Sequence, residues 1–137
     1  MKSQVITVVL VLAVFLLSAC RSGSTSDEPI GFYIEKITGK PVSKNEAYIL
    51  VSDYGCSSCK EEIYGKAESG SSDTVFIITS PRNKVILLER FVGVMPAGNI
   101  YINSLKYSNA LDIVYSKPMI AKFQDGGWEI HPYEEGR

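Results

Sequence analysis

Short apolar runs, separated by polar or glycine-rich segments, occupy most of the chain after residue 29. Residues 47–51 and 75–78 are continuous apolar runs, which are typical of strands buried on both faces of a sheet. Between them, side chains recur at helical spacing before Gly70, at Cys56, Cys59, Ile63 and Ala67. The order strand, helix, strand predicts a βαβ unit with parallel pairing.

The segments that flank this unit carry shorter patterns. Alternation predicts a strand at Ile30, Phe32 and Ile34, and Gly39-Lys40-Pro41 predicts a turn after it. Residues 81–91 fit two structures: a helix that starts at Ser80-Pro81, with one face formed by Val85, Leu88 and Val92, or a strand at residues 85–88. Both interpretations stay open from the sequence.

The last third of the chain predicts a loop, a short strand and a hairpin. Residues 93–99 indicate the loop, residues 100–102 the strand, and residues 105–114 a mixed segment with a possible helical turn. Apolar residues alternate at Met119, Ala121 and Phe123, and residues 128–130 return after Asp125-Gly126-Gly127, a strong hairpin turn. The whole pattern predicts an α/β fold with a central mixed sheet, flanking helices and a C-terminal β-hairpin.

The beginning of the chain has the pattern of an export signal. Lys2 precedes an apolar run at residues 5–17 that is interrupted only by Thr7, too short to span a bilayer and of secretory length. The run ends in Leu17-Ser18-Ala19-Cys20, which resembles the lipobox of bacterial lipoproteins. The resemblance implies cleavage before Cys20 and a diacylglyceryl group on its sulfur. An uncleaved membrane helix, or a plain signal peptide with a chance cysteine, is the alternative.

Three regions follow from this division. Residues 1–19 are the predicted signal peptide, and residues 20–29 are the predicted lipidated cysteine and a flexible tether of small polar residues. Residues 30–137 are dense in apolar side chains, and about one hundred residues are a normal size for one domain with its own core. We therefore expect one globular domain held close to a bilayer.

Composition excludes several classes of function. The chain of 137 residues carries 14 basic and 15 acidic side chains, with no basic stripe for nucleic acid. It contains no phosphate-binding glycine loop, serine nucleophile elbow or paired-carboxylate motif. The candidate chemistry is therefore that of the cysteines.

The sequence contains three cysteines, and lipid attachment at Cys20 would leave Cys56 and Cys59 as the internal pair. A structural disulfide is one alternative, although a loop this short constrains the unfolded chain little. A zinc site needs about four donors. Cys56, Cys59 and the single histidine, His131, provide three donors. Copper delivery is therefore the metal-binding hypothesis that stays open.

The segment at residues 47–60, a buried strand leading into Gly55-Cys56-Ser57-Ser58-Cys59-Lys60, resembles the active-site segment of thioredoxin-like proteins. Ile37-Thr38-Gly39-Lys40-Pro41-Val42 resembles the hairpin before the core in membrane-tethered thiol oxidoreductases of this family. Lys117-Pro118-Met119 resembles the cis-proline loop that precedes the last two strands. The resemblance covers roughly residues 30–132 and implies a thioredoxin-like fold.

The resemblance also implies roles for individual residues. Cys56 would attack a substrate disulfide from the helix N-terminus, and Cys59 would resolve the mixed disulfide. Lys117 and Pro118 would bind substrate in β fashion if their peptide bond is cis. Two neighbours have smaller expected roles: Tyr54 would cover the disulfide on the substrate side, and Asp53 could accept a proton. The redox-active disulfide itself would be the working group, with no metal or nucleotide cofactor.

Three positions depart from the family pattern. Gly55 stands where the family commonly has tryptophan, and Leu50 stands where thioredoxin has a buried acid. The dipeptide between the cysteines is Ser57-Ser58, and this dipeptide strongly influences the redox potential in the family. The direction of the redox reaction therefore stays open.

These observations predict a lipid-anchored, extracytoplasmic thiol-disulfide oxidoreductase in the bacterial cell envelope, with reduction preferred. Its partners would be cysteine-containing envelope proteins, a membrane electron donor or acceptor, and the lipid bilayer through Cys20. A non-catalytic envelope lipoprotein, with an inert disulfide and a binding or assembly role, is the alternative. Exposure of Cys56 beside an apolar surface distinguishes the two.

Overall fold

The computed structural model describes residues 29–103 and 117–134, which form an α/β fold. In this part of the chain a five-stranded mixed sheet is flanked by three α-helices. In chain order the elements are α1 (Pro29–Thr38), β1 (Ala47–Ser52), α2 (Ser57–Ser69), β2 (Thr74–Thr79), α3 (Lys84–Phe91), a short 3₁₀ helix (Met95–Ala97), β3 (Ile100–Ile102), β4 (Met119–Gln124) and β5 (Gly127–Pro132).

The strand order in the sheet is β3-β2-β1-β4-β5. β1 pairs in parallel with β2, with Ala47 opposite Thr74, and antiparallel with β4, with Leu50 opposite Met119. β2 also pairs in parallel with β3. The predicted βαβ unit is thereby confirmed, and the central place of β1 explains its continuous apolar run.

Two apolar cores lie on opposite faces of the sheet, because successive strand residues point to opposite sides. On one face, Ile49 and Val51 of β1 pack with residues of α2 and α3. On the other face, Tyr48 and Leu50 pack with α1, including Ile34, whose exposed fraction is 0%. The helix that follows the cysteines therefore shares its face of the sheet with α3.

The first described element is a helix, so the predicted strand at residues 30–34 is wrong. Its buried residues are Ile30, Gly31, Tyr33 and Ile34, whereas Phe32 is 52% exposed. This spacing is helical, and Pro29 stands at the first helical position, where its missing N–H costs nothing. The predicted hairpin at residues 37–42 is also wrong, since α1 extends to Thr38. The predicted turn after it is present, because Gly39 lies in the left-handed region and ends the helix.

Residues 84–91 form the helix α3, which decides between the two interpretations of this segment. Asn83 caps it with bonds from the N–H groups of Val85 and Ile86 at 3.1 and 3.3 Å, so the helix starts later than Ser80-Pro81. Its buried residues are Leu87 and Phe91. The expectation that Val85, Leu88 and Val92 form the packed face is wrong: they are 63%, 38% and 70% exposed.

The C-terminal hairpin is confirmed. β4 and β5 pair antiparallel, with Gln124 opposite Gly127. The two residues between them, Asp125 and Gly126, both have positive φ values of 51° and 83°. Two central residues with positive φ match a type I′ turn, the connection that suits the twist of a two-residue hairpin.

Several expectations lie outside the described residues. These are the signal peptide, Cys20, the tether up to residue 28 and the mixed segment at residues 105–114; Pro29, the last residue of the predicted tether, already belongs to α1. Within residues 29–103 and 117–134, no helix has the length and apolar character needed to cross a membrane.

Truncation of one buried and one exposed side chain tests which face of α3 packs against the core. Phe91 is fully buried and meets the Tyr64 ring edge-on, with ring centroids 5.4 Å apart. We expect Phe91→Ala to lower the free energy of unfolding by about 3–5 kcal/mol. Val85→Ala, on the exposed side of the same helix, should change it by less than about 0.5 kcal/mol. Urea unfolding followed by circular dichroism measures both, and equal losses would contradict the observed orientation.

Candidate functional site at the Cys56–Cys59 disulfide

The disulfide joins Cys56 and Cys59 at the start of α2, with the two Cα atoms 5.5 Å apart. Cys56 is the N-cap residue of this helix, and β1 ends at Ser52, directly before the loop. The pair therefore stands at the carboxyl end of the central strand, as the sequence predicts. Among parallel strands, this edge of a sheet is the usual place for a functional site.

Hydrogen-bond donors surround the sulfur of Cys56. The Cys59 N–H donates to Cys56 Sγ at 3.4 Å, and the hydroxyl of Ser58 lies 3.3 Å from the same sulfur. The Lys60 N–H already bonds the Cys56 carbonyl at 3.0 Å, which starts the helix. Unpaired N–H groups and the helix dipole at this end would stabilise a thiolate at Cys56.

Both cysteines are partly exposed, and Ser57 and Ser58 between them are exposed. The neighbouring Tyr54 is 62% exposed. Within residues 29–103 and 117–134, the disulfide is thus partly accessible to solvent on the side of its loop. Cys56, the predicted attacking group, and Cys59, the predicted resolving group, are both half-buried, so burial does not distinguish them.

The turn before the disulfide explains why glycine occupies position 55. The Gly55 N–H donates to the Ser52 carbonyl at 3.0 Å, and the Tyr54 N–H donates to Ser52 Oγ at 3.3 Å. A Cβ atom on Gly55 would lie 3.2 Å from the same carbonyl oxygen, closer than ordinary contact. A large side chain, such as the tryptophan of related motifs, would require this turn to move.

Asp53 ties the disulfide loop to two other segments. Its carboxylate accepts a bond from the Arg82 N–H at 2.8 Å, in the turn between β2 and α3, and one from the Tyr64 hydroxyl at 3.3 Å. Lys60 Nζ lies 3.2 Å from the carboxylate and 3.4 Å from the Asp53 carbonyl oxygen. The Asp53 N–H donates to the Thr79 carbonyl at 3.2 Å. We call Asp53, Lys60, Tyr64 and Arg82 the Asp53 cluster.

The cluster keeps Asp53 ionised. Burial raises the pKa of its carboxyl group, but the Arg82 N–H, the Lys60 charge and the Tyr64 hydroxyl together outweigh burial, so the pKa lies below its usual range. Burial, and then the Asp53 charge, raise the pKa of the Tyr64 hydroxyl, which stays a donor. A carboxylate with three donors resists proton uptake, so the predicted acceptor role of Asp53 gains no support from these contacts.

The Tyr54 ring lies on the surface of the protein. The guanidinium of Arg82 stands over its ring, 4.7 Å from the centroid. This cation–π contact holds the exposed ring against the turn that leads into α3. Tyr54 therefore belongs to the surface beside the disulfide, and its predicted contact with substrate stays a prediction.

Lys117 and Pro118 do not have the cis peptide bond on which their predicted role depends. Their peptide bond is trans, since the described residues contain no cis bond. They enter the sheet at the same edge as the disulfide, because Met119 stands opposite Leu50 near the end of β1. The Pro118 carbonyl, however, accepts the Tyr133 N–H at 2.8 Å. We therefore leave both residues out of the proposed site.

Three members of this arrangement, Lys60, Tyr64 and Arg82, were not predicted from the sequence. Lys60 and Tyr64 stand four residues apart on α2, a spacing that places them on one helix face, so their position beside a buried acid could have been recognised. Arg82 contributes its backbone N–H to Asp53, and every residue except proline has this group. Its residue type therefore carried no signal for this bond.

Glu61 and Glu62, the two acids that follow the cysteines on α2, each pair with a basic side chain. Glu61 bonds Arg90 at 2.8 Å, and Glu62 lies 3.0 Å from Lys66. His131 is exposed but belongs to β5 and lies 3.8 Å from Glu129. In the described part of the chain, no group of three His, Cys, Asp or Glu side chains is placed to hold a metal ion.

Comparisons of the chain with protein-family models, curated proteins and solved structures gave no match.

The Asp53 cluster predicts a pH-dependent contribution to stability. Asp53→Asn should lower the free energy of unfolding by about 1–3 kcal/mol at pH 7, because the donors around it lose a charged acceptor. Since the folded pKa is depressed, this contribution is fully present above the unfolded pKa of about 3.9. It is lost as the pH falls through the folded pKa, where variant and parent should converge.

Urea unfolding of the full chain between pH 3 and pH 7 measures this difference. Glu129→Gln, at an exposed carboxylate, is the control and should differ little from the parent at either pH. A difference for Asp53→Asn that stays constant over the whole range would show that the charge of Asp53 is not its stabilising feature.

Proposed function

We propose that the chain is a thioredoxin-like thiol-disulfide oxidoreductase of the bacterial cell envelope, anchored by lipid at Cys20, which reduces disulfides in other envelope proteins. The supporting observation is the Cys56–Cys59 disulfide, open to solvent at the N-terminus of α2 and at the carboxyl end of β1. The parallel β1-α2-β2 unit beside an antiparallel hairpin supports the thioredoxin-like part of the proposal.

The proposed reaction has two exchanges. In the reduced protein, the Cys56 thiolate attacks one sulfur of a substrate disulfide, forms a mixed disulfide and releases the first substrate thiolate. Cys59, after losing its proton to solvent, attacks Cys56, forms the internal disulfide and releases the second substrate thiolate, which takes up a proton. The substrate gains two electrons, and a membrane dithiol donor must return them to Cys56 and Cys59.

Local bonds favour Cys56 as the attacking group. It is the N-cap residue, and its sulfur receives the Cys59 N–H in addition to the nearby Ser58 hydroxyl. Charge-assisted bonds of this kind are stronger than neutral ones, so they favour the thiolate over the thiol. Cys59 lies inside the first turn and has the short reach to Cys56 that resolution requires.

A binding or assembly lipoprotein with an inert disulfide is the second candidate. The observation that favours it is the Asp53 carboxylate, which is engaged by Lys60, Tyr64 and the Arg82 N–H. An acid held in this way fixes the loop around the disulfide and is poorly suited to receive a proton from Cys59. The reactivity of the two thiols separates the candidates.

Thiol reactivity tests the oxidoreductase directly. After reduction of the full chain in detergent, Cys56 should be alkylated at least about tenfold faster than Cys59 near neutral pH, because the helix N-terminus favours its thiolate. Peptide mass spectrometry measures the two rates separately. Cys59→Ser should accumulate mixed disulfides with envelope proteins, and the matched Cys56→Ser variant should not. Two unreactive thiols in the folded protein would favour the inert module.

The anchor is tested by metabolic labelling. Cells that express the full chain should incorporate labelled palmitate into it, and Cys20→Ala should abolish the label. Cys56→Ala is the matched control and should retain it, because the proposed attachment is confined to the cysteine that ends the apolar leader. Labelling that persists in Cys20→Ala would contradict the proposed anchor while leaving the redox proposal unaffected.

A further inference from the structure

Exposed large apolar side chains in the described part of the chain are concentrated in two neighbouring segments. Of the six, five lie on the disulfide loop, on α3 or at the residue that directly follows α3. The five are Tyr54, Val85, Ile86, Leu88 and Val92, with exposed fractions between 38% and 70%. The sixth, Phe32, lies on α1, which packs on the other face of the sheet. We call the five residues together with Arg82 the α3 ridge.

The disulfide loop contacts the turn before α3. Tyr54 is separated from Cys56 only by Gly55, and the guanidinium of Arg82 stands over the Tyr54 ring at 4.7 Å. Asp53 binds the Arg82 N–H at 2.8 Å, so the turn before α3 is fixed to the disulfide loop. A partner whose disulfide reaches Cys56 would therefore also meet Arg82 and the first turn of α3.

The charges on this surface are unbalanced near the disulfide. Arg82 and Lys84 are exposed, and among the described residues neither lies within ion-pair distance of an acid. The acids nearest the disulfide are already engaged, Asp53 by Lys60 and Glu61 by Arg90. Glu89 lies more than one turn beyond Lys84 on α3. The start of α3 and the turn before it are therefore locally cationic, on a chain whose formal net charge is -1. An acidic group on the partner would complement this positive charge.

A protein segment fits the α3 ridge better than a lipid surface does. Glu89 is exposed and lies between Leu88 and Val92 in the sequence, one turn after Val85, so a carboxylate interrupts the apolar face. Insertion of this face into lipid would bring the carboxylate towards the acyl chains and towards anionic headgroups, both of which are unfavourable. A protein partner can place a polar or basic group opposite it.

We propose that the α3 ridge is the docking surface for the substrate protein, and that it selects a segment with an acidic side chain and aliphatic side chains next to its disulfide. This inference rests on the proposed function, because it assigns a partner to the same site. The acid pairs with Arg82 beside the disulfide, and the aliphatic side chains cover Val85 and Leu88. Docking on α3 presents the substrate sulfur to Cys56 without involving Lys117 or Pro118.

Synthetic peptides test the docking directly. The first is a labelled peptide with two glutamates and two leucines around a Cys→Ser position, so that it can bind but not exchange. Fluorescence anisotropy with the full chain in detergent should give saturable binding. Replacement of the glutamates by lysine should weaken binding about threefold to tenfold. This loss of affinity should be larger at low salt than at high salt, because salt screens the charges. Replacement of the leucines by serine should weaken it about tenfold.

The protein variants are chosen to keep the fold intact. Arg82→Gln retains the backbone N–H that binds Asp53, and Val85→Ser with Leu88→Ser changes exposed positions. Each should weaken binding of the acidic peptide by the factors given above. Phe32→Ser is the matched control, since it removes an exposed aromatic side chain from α1 and should leave binding unchanged.

A second measurement separates this proposal from the proposed function. The reduced full chain is treated with hydroxyethyl disulfide, a small neutral compound, and with the peptide in its disulfide form. The variant with Val85→Ser and Leu88→Ser should slow exchange with the peptide and leave exchange with hydroxyethyl disulfide unchanged. Unreactive cysteines together with ridge-dependent peptide binding would overturn the oxidoreductase and retain the docking surface.

Other results overturn the docking surface. Equal binding of acidic and basic peptides, or binding that is unaffected by the ridge variants, contradicts it whatever the reactivity of the cysteines. Ridge-dependent binding to phosphatidylglycerol vesicles without peptide binding would assign the surface to lipid. Ridge-dependent self-association in sedimentation experiments, again without peptide binding, would assign it to a second copy of the chain.

Discussion

The bonds to the Asp53 carboxylate hold together the edge of the sheet that carries the disulfide. They connect the disulfide loop to α2 through Lys60 and Tyr64, and to the turn before α3 through the Arg82 N–H. Asp53 itself is 8% exposed, so these bonds form where water screens them weakly. An ionised carboxylate in such a place must be well paired, because loss of one donor leaves a costly charge. The disulfide loop and the start of α3 are therefore held by the same carboxylate.

Arg90 adds a second connection on the same face of the sheet. It reaches from α3 to Glu61 and Glu68 on α2, and its guanidinium stands over the rings of Tyr64 and Phe91. Exposed ion pairs contribute little singly, but this one joins two acids and covers two buried rings. It closes the contact between α2 and α3 from the solvent side. Arg90 thus contacts α2 near both ends of this helix, at Glu61 and at Glu68.

The sequence predicted those parts of the fold that a local pattern determines. β1 and β2 are continuous apolar runs because helices cover both faces of the sheet at these strands, and the Asp125-Gly126 turn requires two positive φ values. For α1 the local pattern was ambiguous. Residues 30–34 are apolar or glycine throughout, so the period of a strand and the period of a helix both fit the sequence. Packing against Tyr48 and Leu50 favours the helix.

The site was predictable to the extent that it depends on spacing. Cys56 and Cys59 are separated by two residues after a buried strand, and that motif indicates a disulfide at a helix start from sequence alone. The surroundings of the pair depend on contacts between segments distant in the chain. Asp53 meets the N–H of Arg82, and the isomer of the bond before Pro118 is selected by the packed structure. Neither has a local signal.

The orientation of α3 shows why an amphipathic pattern can indicate the wrong face. Apolar residues occupy two faces of this short helix, so its pattern permits burial of Val85, Leu88 and Val92 or of Leu87 and Phe91. Rotation of about a third of a turn would exchange them. It would also expose the Phe91 ring and break the bonds of Arg90 to α2. Burial of an aromatic ring together with these bonds outweighs burial of the smaller side chains, so the aliphatic face remains outside, beside the disulfide.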